Sequence, residues 1–129
     1  MALLSSACCQ SSSDPGEGKG PPPVIQARAG ADVVLNCDVA SKIQDIYLLE
    51  WRMNGSKTPI FMKFMKFQNP HVDSRYSRRL HIVNNSAILI SGVKVTDAGM
   101  YSCRIIRSGS TSFVQIPGTP VILKIKGEF

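Results

Sequence analysis

Few side chains in this chain of 129 residues have the types and spacing that do covalent or metal chemistry, and its four cysteines come first. Cys8 and Cys9 are adjacent in a polar tail, whereas Cys37 and Cys103 each lie inside an alternating apolar segment. Only the second pair looks structural. Adjacent cysteines bond each other only with strain, and with His71 and His81 alone beside them a tetrahedral zinc site is hard to assemble. Cys8 and Cys9 are left unassigned, and neither a metal nor a cofactor is expected.

An enzyme needs a positioned base, nucleophile or metal. The two histidines occupy a turn-like loop and a strand with no motif around either, and the serines fall mostly in the tail and turns. There is no phosphate-cradling glycine loop and no Gly-x-Ser-x-Gly elbow. The chain therefore reads as a non-enzyme. Two Asn-x-Ser acceptor sequences, Asn54-Gly55-Ser56 and Asn84-Asn85-Ser86, fall in predicted surface turns and would be open to glycosylation in a secreted chain.

The elements that position these residues are strands. Residues 10 to 23 are turn and linker chemistry with no apolar residue to bury, so residues 1–23 read as a flexible leader or linker. From Val24 onward apolar residues recur with period two in short runs separated by Gly, Asn, Ser and Pro. The runs are Val24 to Arg28, Asp32 to Asp38, Ile46 to Met53, Pro59 to Met65, Lys66 to Gln68, Arg78 to Val83, Ser86 to Ile90, Gly99 to Arg107 and Thr119 to Lys126. They predict an all-β sandwich of about nine antiparallel strands in two sheets with Greek-key connections, over residues 24–126, with a stub at 127–129.

Parity within the runs assigns faces. Val33, Leu35 and Cys37 share one face, which is the buried one if the cysteine is to reach the opposing sheet. Fourteen residues after Cys37 comes Trp51, whose parity carries Tyr47 and Leu49 inward with it. A tryptophan buried against an inter-sheet disulfide, and a tyrosine two residues before the second cysteine, are marks of the immunoglobulin fold. Here they are Trp51, Tyr101 and the Cys37–Cys103 pair, set in Asp97-Ala98-Gly99-Met100-Tyr101-Ser102-Cys103. The chain resembles the V-type domains of the immunoglobulin superfamily. Trp51, Leu89 and Tyr101 are assigned to the core. The resemblance further implies a clamp between Asp97 and an arginine at the start of the run from Arg78 to Val83, with Arg79 preferred over Arg75 and Arg78.

Within that superfamily, Tyr76-Ser77-Arg78-Arg79 and the run from Ala87 to Cys103 are similar to butyrophilin and co-stimulatory ligand domains. Natural killer receptors and junctional adhesion molecules share much of the pattern. The last strand is similar to the joining segment of antigen receptors at Gly118, Thr119, Val121, Leu123 and Ile125, but lacks its first glycine and preceding aromatic. Antibody-like pairing is not expected.

With Tyr101, Cys103 and Ile105 inward, the opposite face of the GFCC′ sheet is expected to show Leu48, Glu50, Arg52, Ser102, Arg104 and Ile106. The run Ile60-Phe61-Met62-Lys63-Phe64 has more large apolar side chains than one face can absorb, so either Phe61 with Lys63, or Ile60 with Met62 and Phe64, points out. Leu48, Glu50, Arg52, Phe61, Lys63, Arg104 and Ile106 are the expected partner-binding residues, with the stretch from Arg107 to Pro117 a second contact surface as a long loop.

Fifteen basic against nine acidic residues give a net charge of +6 and a pI near 9.4, which favours anionic surfaces. The basic residues are scattered over strands and loops, so nucleic acid is not an expected partner. The expected function is extracellular recognition of a protein on another cell, as an immune-type receptor or ligand. Homophilic or heterophilic adhesion, including a homodimer through the same sheet, is one alternative. A sialoglycan-binding role resting on Arg104 is another. The N-terminus has neither the basic start nor the apolar run of a secretory signal, and no segment has the length of a transmembrane helix, so the chain reads as a piece of a surface protein.

Overall fold

In the computed structural model, residues 20–40, 45–67, 69–84, 86–109 and 111–127 are described. Cys8, Cys9 and most of the expected leader lie outside them, as do the last two residues of the stub. The described strands are β1 (Val24–Arg28), β2 (Val33–Leu35), β3 (Ile46–Met53), β4 (Phe61–Phe64), β5 (His71–Val72), β6 (Leu80–Val83), β7 (Ala87–Ile90), β8 (Gly99–Ser108), β9 (Phe113–Pro117) and β10 (Val121–Lys126). They form two sheets, one in the order β1-β10-β8-β3-β4-β5 with β9 also on β8, the other in the order β2-β7-β6. All pairings are antiparallel except β1 with β10, which runs parallel.

Alternation of side chains along each strand places Trp51, Leu49, Tyr101, Cys103, Ile105 and Leu123 from one sheet against Val33, Leu35, Leu80, Ile88 and Ile90 from the other. The Cys37–Cys103 disulfide joins the sheets with a Cα–Cα distance of 5.8 Å. Leu89 corrects the sequence reading. Its neighbours Ile88 and Ile90 are fully buried, opposite Leu35 and Val33, while Leu89 pairs with the exposed Val34 on the outer side. Period two leaves room for only one parity inside, and two isoleucines hold it.

Two further differences concern strand limits. The short strand beside β4 is His71–Val72 rather than the expected residues 66 to 68, because Lys66 and Phe67 lie in the turn that leaves β4. The stretch expected as a long loop is largely strand: Phe113–Pro117 pairs with Arg104–Ser108, which leaves a short hairpin tip. Between β9 and β10, four steps from Pro117 to Val121 face three steps from Arg104 to Tyr101. A bulge thus survives without the first glycine and aromatic of the antigen-receptor pattern. Thr119 braces it by donating its backbone N–H and its hydroxyl to Asp38 at 3.0 and 2.6 Å.

The base of the sandwich is tied by side chains. Arg79 grips Asp97 with both Nη atoms, at 2.7 Å to Oδ2 and 3.1 Å to Oδ1. Burial raises the Asp97 pKa, but hydrogen bonds from Arg79 and from the Lys94 N–H outweigh it and hold the carboxyl below its ordinary value. The Tyr101 hydroxyl donates to the Asp97 carbonyl at 2.5 Å, and burial first of all pushes its pKa far up. Since that spends its proton, the 2.9 Å contact between the Tyr76 and Tyr101 hydroxyls has Tyr76 as donor. The guanidinium of Arg79 also lies 5.3 Å from the centre of the Tyr76 ring, so one arginine serves the ion pair and the ring together.

Candidate partner-binding face

The outer face of the larger sheet is built by register. Trp51 opposite Phe61, and Leu49 opposite Lys63, put Phe61 and Lys63 on the core side of β4. Phe61 is fully buried in the core, which corrects its expected role in binding. Lys63 escapes the same side by reaching along the strand edge, where Nζ donates to the Phe67 carbonyl at 2.6 Å. Met62 and Phe64 therefore take the outer side, opposite Glu50 and Leu48.

Leu48 and Glu50 have the expected parity but not the expected exposure. They are only 6% and 4% exposed, because β3 is flanked on both sides. Leu48 lies between Phe64 and Ile106, and Glu50 between Met62 and Arg104. Two guanidiniums cover the Glu50 carboxylate: Arg104 Nη2 donates to Oε1 at 2.5 Å, and Arg52 Nε donates to the same oxygen at 3.3 Å. Arg104 Nη1 goes on to Gln115 Oε1 at 2.7 Å, which links β3, β8 and β9 in one polar row. Arg52, Arg104 and Ile106 remain half-exposed on this face. Of the seven expected binding residues, then, these three lie at the surface of the outer face, Leu48 and Glu50 beneath it, and Phe61 and Lys63 on the other side.

Sequence parity also misplaced Tyr47. A register shift between Ile46 and Leu48 turns Ile46 towards the core and Tyr47 outward. Tyr47 there packs on Phe64, with ring centres 5.5 Å apart in an edge arrangement, and on Phe113 at 4.9 Å. Phe64 continues the row to Phe67 at 6.2 Å. The result is an aromatic row from the turn after β4, across β4 and β3, to the start of β9. Its two ends, Phe67 and Phe113, are 64% and 58% exposed. Two signals for it stand in the sequence: the surplus of large apolar residues from Ile60 to Phe64, one register of which turns Phe64 out, and Phe113, a large aromatic among serines where a hairpin tip needs none.

Both glycosylation acceptors have exposed asparagines. Asn54 follows β3 at the end opposite the aromatic row, and Asn84, at φ 54°, is in the turn between β6 and β7 of the other sheet. Among the described residues, no group of three or more His, Cys, Asp or Glu side chains could hold a metal ion, and no helix is long and apolar enough to cross a membrane.

The disulfide, the buried tryptophan and the tyrosine hydroxyl on the Asp97 carbonyl form one constellation, and the family model of the immunoglobulin V-set domain matches residues 20–123. The chain belongs to the immunoglobulin V-set family. This family is not known for enzymes. The V-set domain is 32% identical to human protein turtle homolog A over 109 residues, which cover 81% of this chain and 9% of that protein. It is 32% identical to Xenopus laevis neural cell adhesion molecule 1-A over 100 residues, 76% of this chain and 8% of that protein. The chain thus spans under a tenth of the length of the cell-surface relatives it matches. Among solved structures, the V domain of amphioxus IgVJ-C2 is similar in fold, with a TM-score of 0.67 at 23% identity, covering 78% of this chain and 98% of that one. The first immunoglobulin-like domain of human CD48 antigen gives 0.66 at 18% identity, covering 91% and 92%.

Proposed function

We propose that this V-set domain is an extracellular recognition module that binds a protein partner through the outer face of its larger sheet. The observation that carries the reading is the aromatic row. Phe67, Phe64, Tyr47 and Phe113 form a continuous apolar edge with exposed ends, beside a basic centre of Arg52 and Arg104. Large aromatics next to arginine are the composition that concentrates binding energy in protein interfaces. Neither acceptor asparagine lies at that end of the face.

A screen of a multimerised domain against displayed cell-surface proteins tests this. Phe113→Asp and Tyr47→Ala are expected to abolish partner binding while the melting temperature stays near that of the parent. Binding that survives both changes in folded protein would overturn the reading.

Adhesion by pairing with another immunoglobulin domain, or with a second copy, is the second reading, favoured by the match to a neural cell adhesion molecule. Concentration-dependent self-association in sedimentation, lost in Phe113→Asp, would select it. A sialoglycan role is not favoured. The Arg104 fork already holds Glu50 and Gln115, and the Glu50 carboxylate beneath it would repel an incoming sugar acid.

A further inference from the structure

The lower end of the outer face, away from the aromatic row, carries a shallow pocket that begins at Asn54. Arg52, Ser56, Met100, Ser102 and Pro120 line it. Its composition is two-sided: the Met100 thioether and the Pro120 ring are apolar, whereas the Arg52 guanidinium and the Ser102 hydroxyl are polar, and the Ser56 hydroxyl, which donates to the Thr58 carbonyl at 2.9 Å, keeps its oxygen as an acceptor. A pyranose ring has this pairing of properties, with apolar C–H faces and a polar rim. The turn that presents Asn54 is held firmly. The Asn54 N–H donates to the Met100 carbonyl at 2.8 Å, the Ser56 N–H donates to the Met53 carbonyl at 3.0 Å, and Gly55 supplies the φ of 91° that the turn needs.

We propose that Asn54 carries an N-linked glycan whose first N-acetylglucosamine ring lies in this pocket, over Met100 and Pro120. The modification is an ordinary substitution. The Asn54 amide nitrogen attacks the anomeric carbon of an oligosaccharide activated as a lipid diphosphate. The new N–C bond forms as the C–O bond to the diphosphate breaks, the amide nitrogen gives up one proton, and the lipid diphosphate leaves. The host's secretory pathway supplies this donor and the transferase that uses it, so the inference rests on the extracellular reading above. Docked there, the sugar covers the Arg52–Ser102 end of the face and leaves the aromatic row as its uncovered part. The site thereby limits where a partner can sit. Asn84 lies between β6 and β7 of the other sheet and does not line this pocket.

The test uses the full chain secreted from mammalian cells and needs no partner, so a failed partner screen leaves it unaffected. Intact mass before and after N-glycosidase treatment is expected to show a glycan that Asn54→Gln removes and Asn84→Gln retains. Ser56→Ala, which keeps Asn54 but destroys the acceptor sequence, should remove it as well. Secreted protein with unmodified Asn54 would overturn the site. In the glycoprotein trimmed to its innermost sugar, nuclear Overhauser contacts are expected between the acetamido methyl or ring protons and the Met100 methyl. The Met100 methyl resonance should shift when the sugar is removed. A sugar that shows no contact with Met100 or Pro120 would overturn the docking.

Discussion

The Arg104 guanidinium closes over the Glu50 carboxylate, Nη2 to Oε1 at 2.5 Å, and so fastens β8 to β3 across the middle of the outer face. The relationship explains how an acid 4% exposed is tolerated on the outer side of a sheet. Glu50 Oε1 accepts from two arginines above it, Arg104 and Arg52, whose side chains are themselves 35% and 41% exposed. Glu50 is thus the support of the basic centre rather than a contact residue.

Glu50→Ala should destabilise the domain by about 1–2 kcal/mol, less than a fully buried pair would lose because both arginines are partly solvated. Chemical denaturation measures it. The double variant with Arg104→Ala should lose less than the sum of the two single changes. Strict additivity would mean that the two side chains are not coupled.

The Asp97–Arg79 clamp makes a prediction in pH. The folded Asp97 pKa is depressed, so its contribution is fully present above the ordinary carboxylate value near 3.9 and is lost as pH falls through the folded pKa. Asp97→Asn should cost about 3 kcal/mol at neutral pH, since it leaves a largely buried guanidinium without its anion. Urea unfolding between pH 7 and pH 2 should show a flatter acid limb in the variant than in the parent.

Replacing both Cys37 and Cys103 by alanine removes a cross-link between residues 66 apart, for which chain entropy suggests about 4 kcal/mol. That is comparable with the whole stability of a small domain. Thermal unfolding followed by near-ultraviolet circular dichroism should become broad or disappear, and an unchanged transition would contradict the structural role.

Ile88→Ala and Leu89→Ala separate the two faces of β7. The first empties a fully buried site and should cost about 2–5 kcal/mol, whereas the second, on the outer side beside Val34, should cost about 1 kcal/mol or less. Equal losses in denaturant midpoints would place Leu89 back in the core.

The sequence by itself determined the frame. Period-two alternation, the spacing of Cys37, Trp51 and Cys103, and Tyr101 two residues before the second cysteine are local patterns, and each narrows the fold without knowledge of its neighbours. Ile46–Met53 could be delimited to the residue for the same reason. What only the tertiary structure decided is which side chains of the outer sheet reach solvent. Leu48 and Glu50 have outward parity yet are covered, because burial depends on the strands to either side and not on the strand alone. Phe61 against Phe64 was a choice between two registers that alternation leaves degenerate, and it was decided by the pairing of Trp51 with Phe61. One register shift beside Tyr47 reversed its parity. A bulge is invisible to a pattern of period two, so the aromatic row that Tyr47 joins exists only once β3, β4 and β9 are brought side by side.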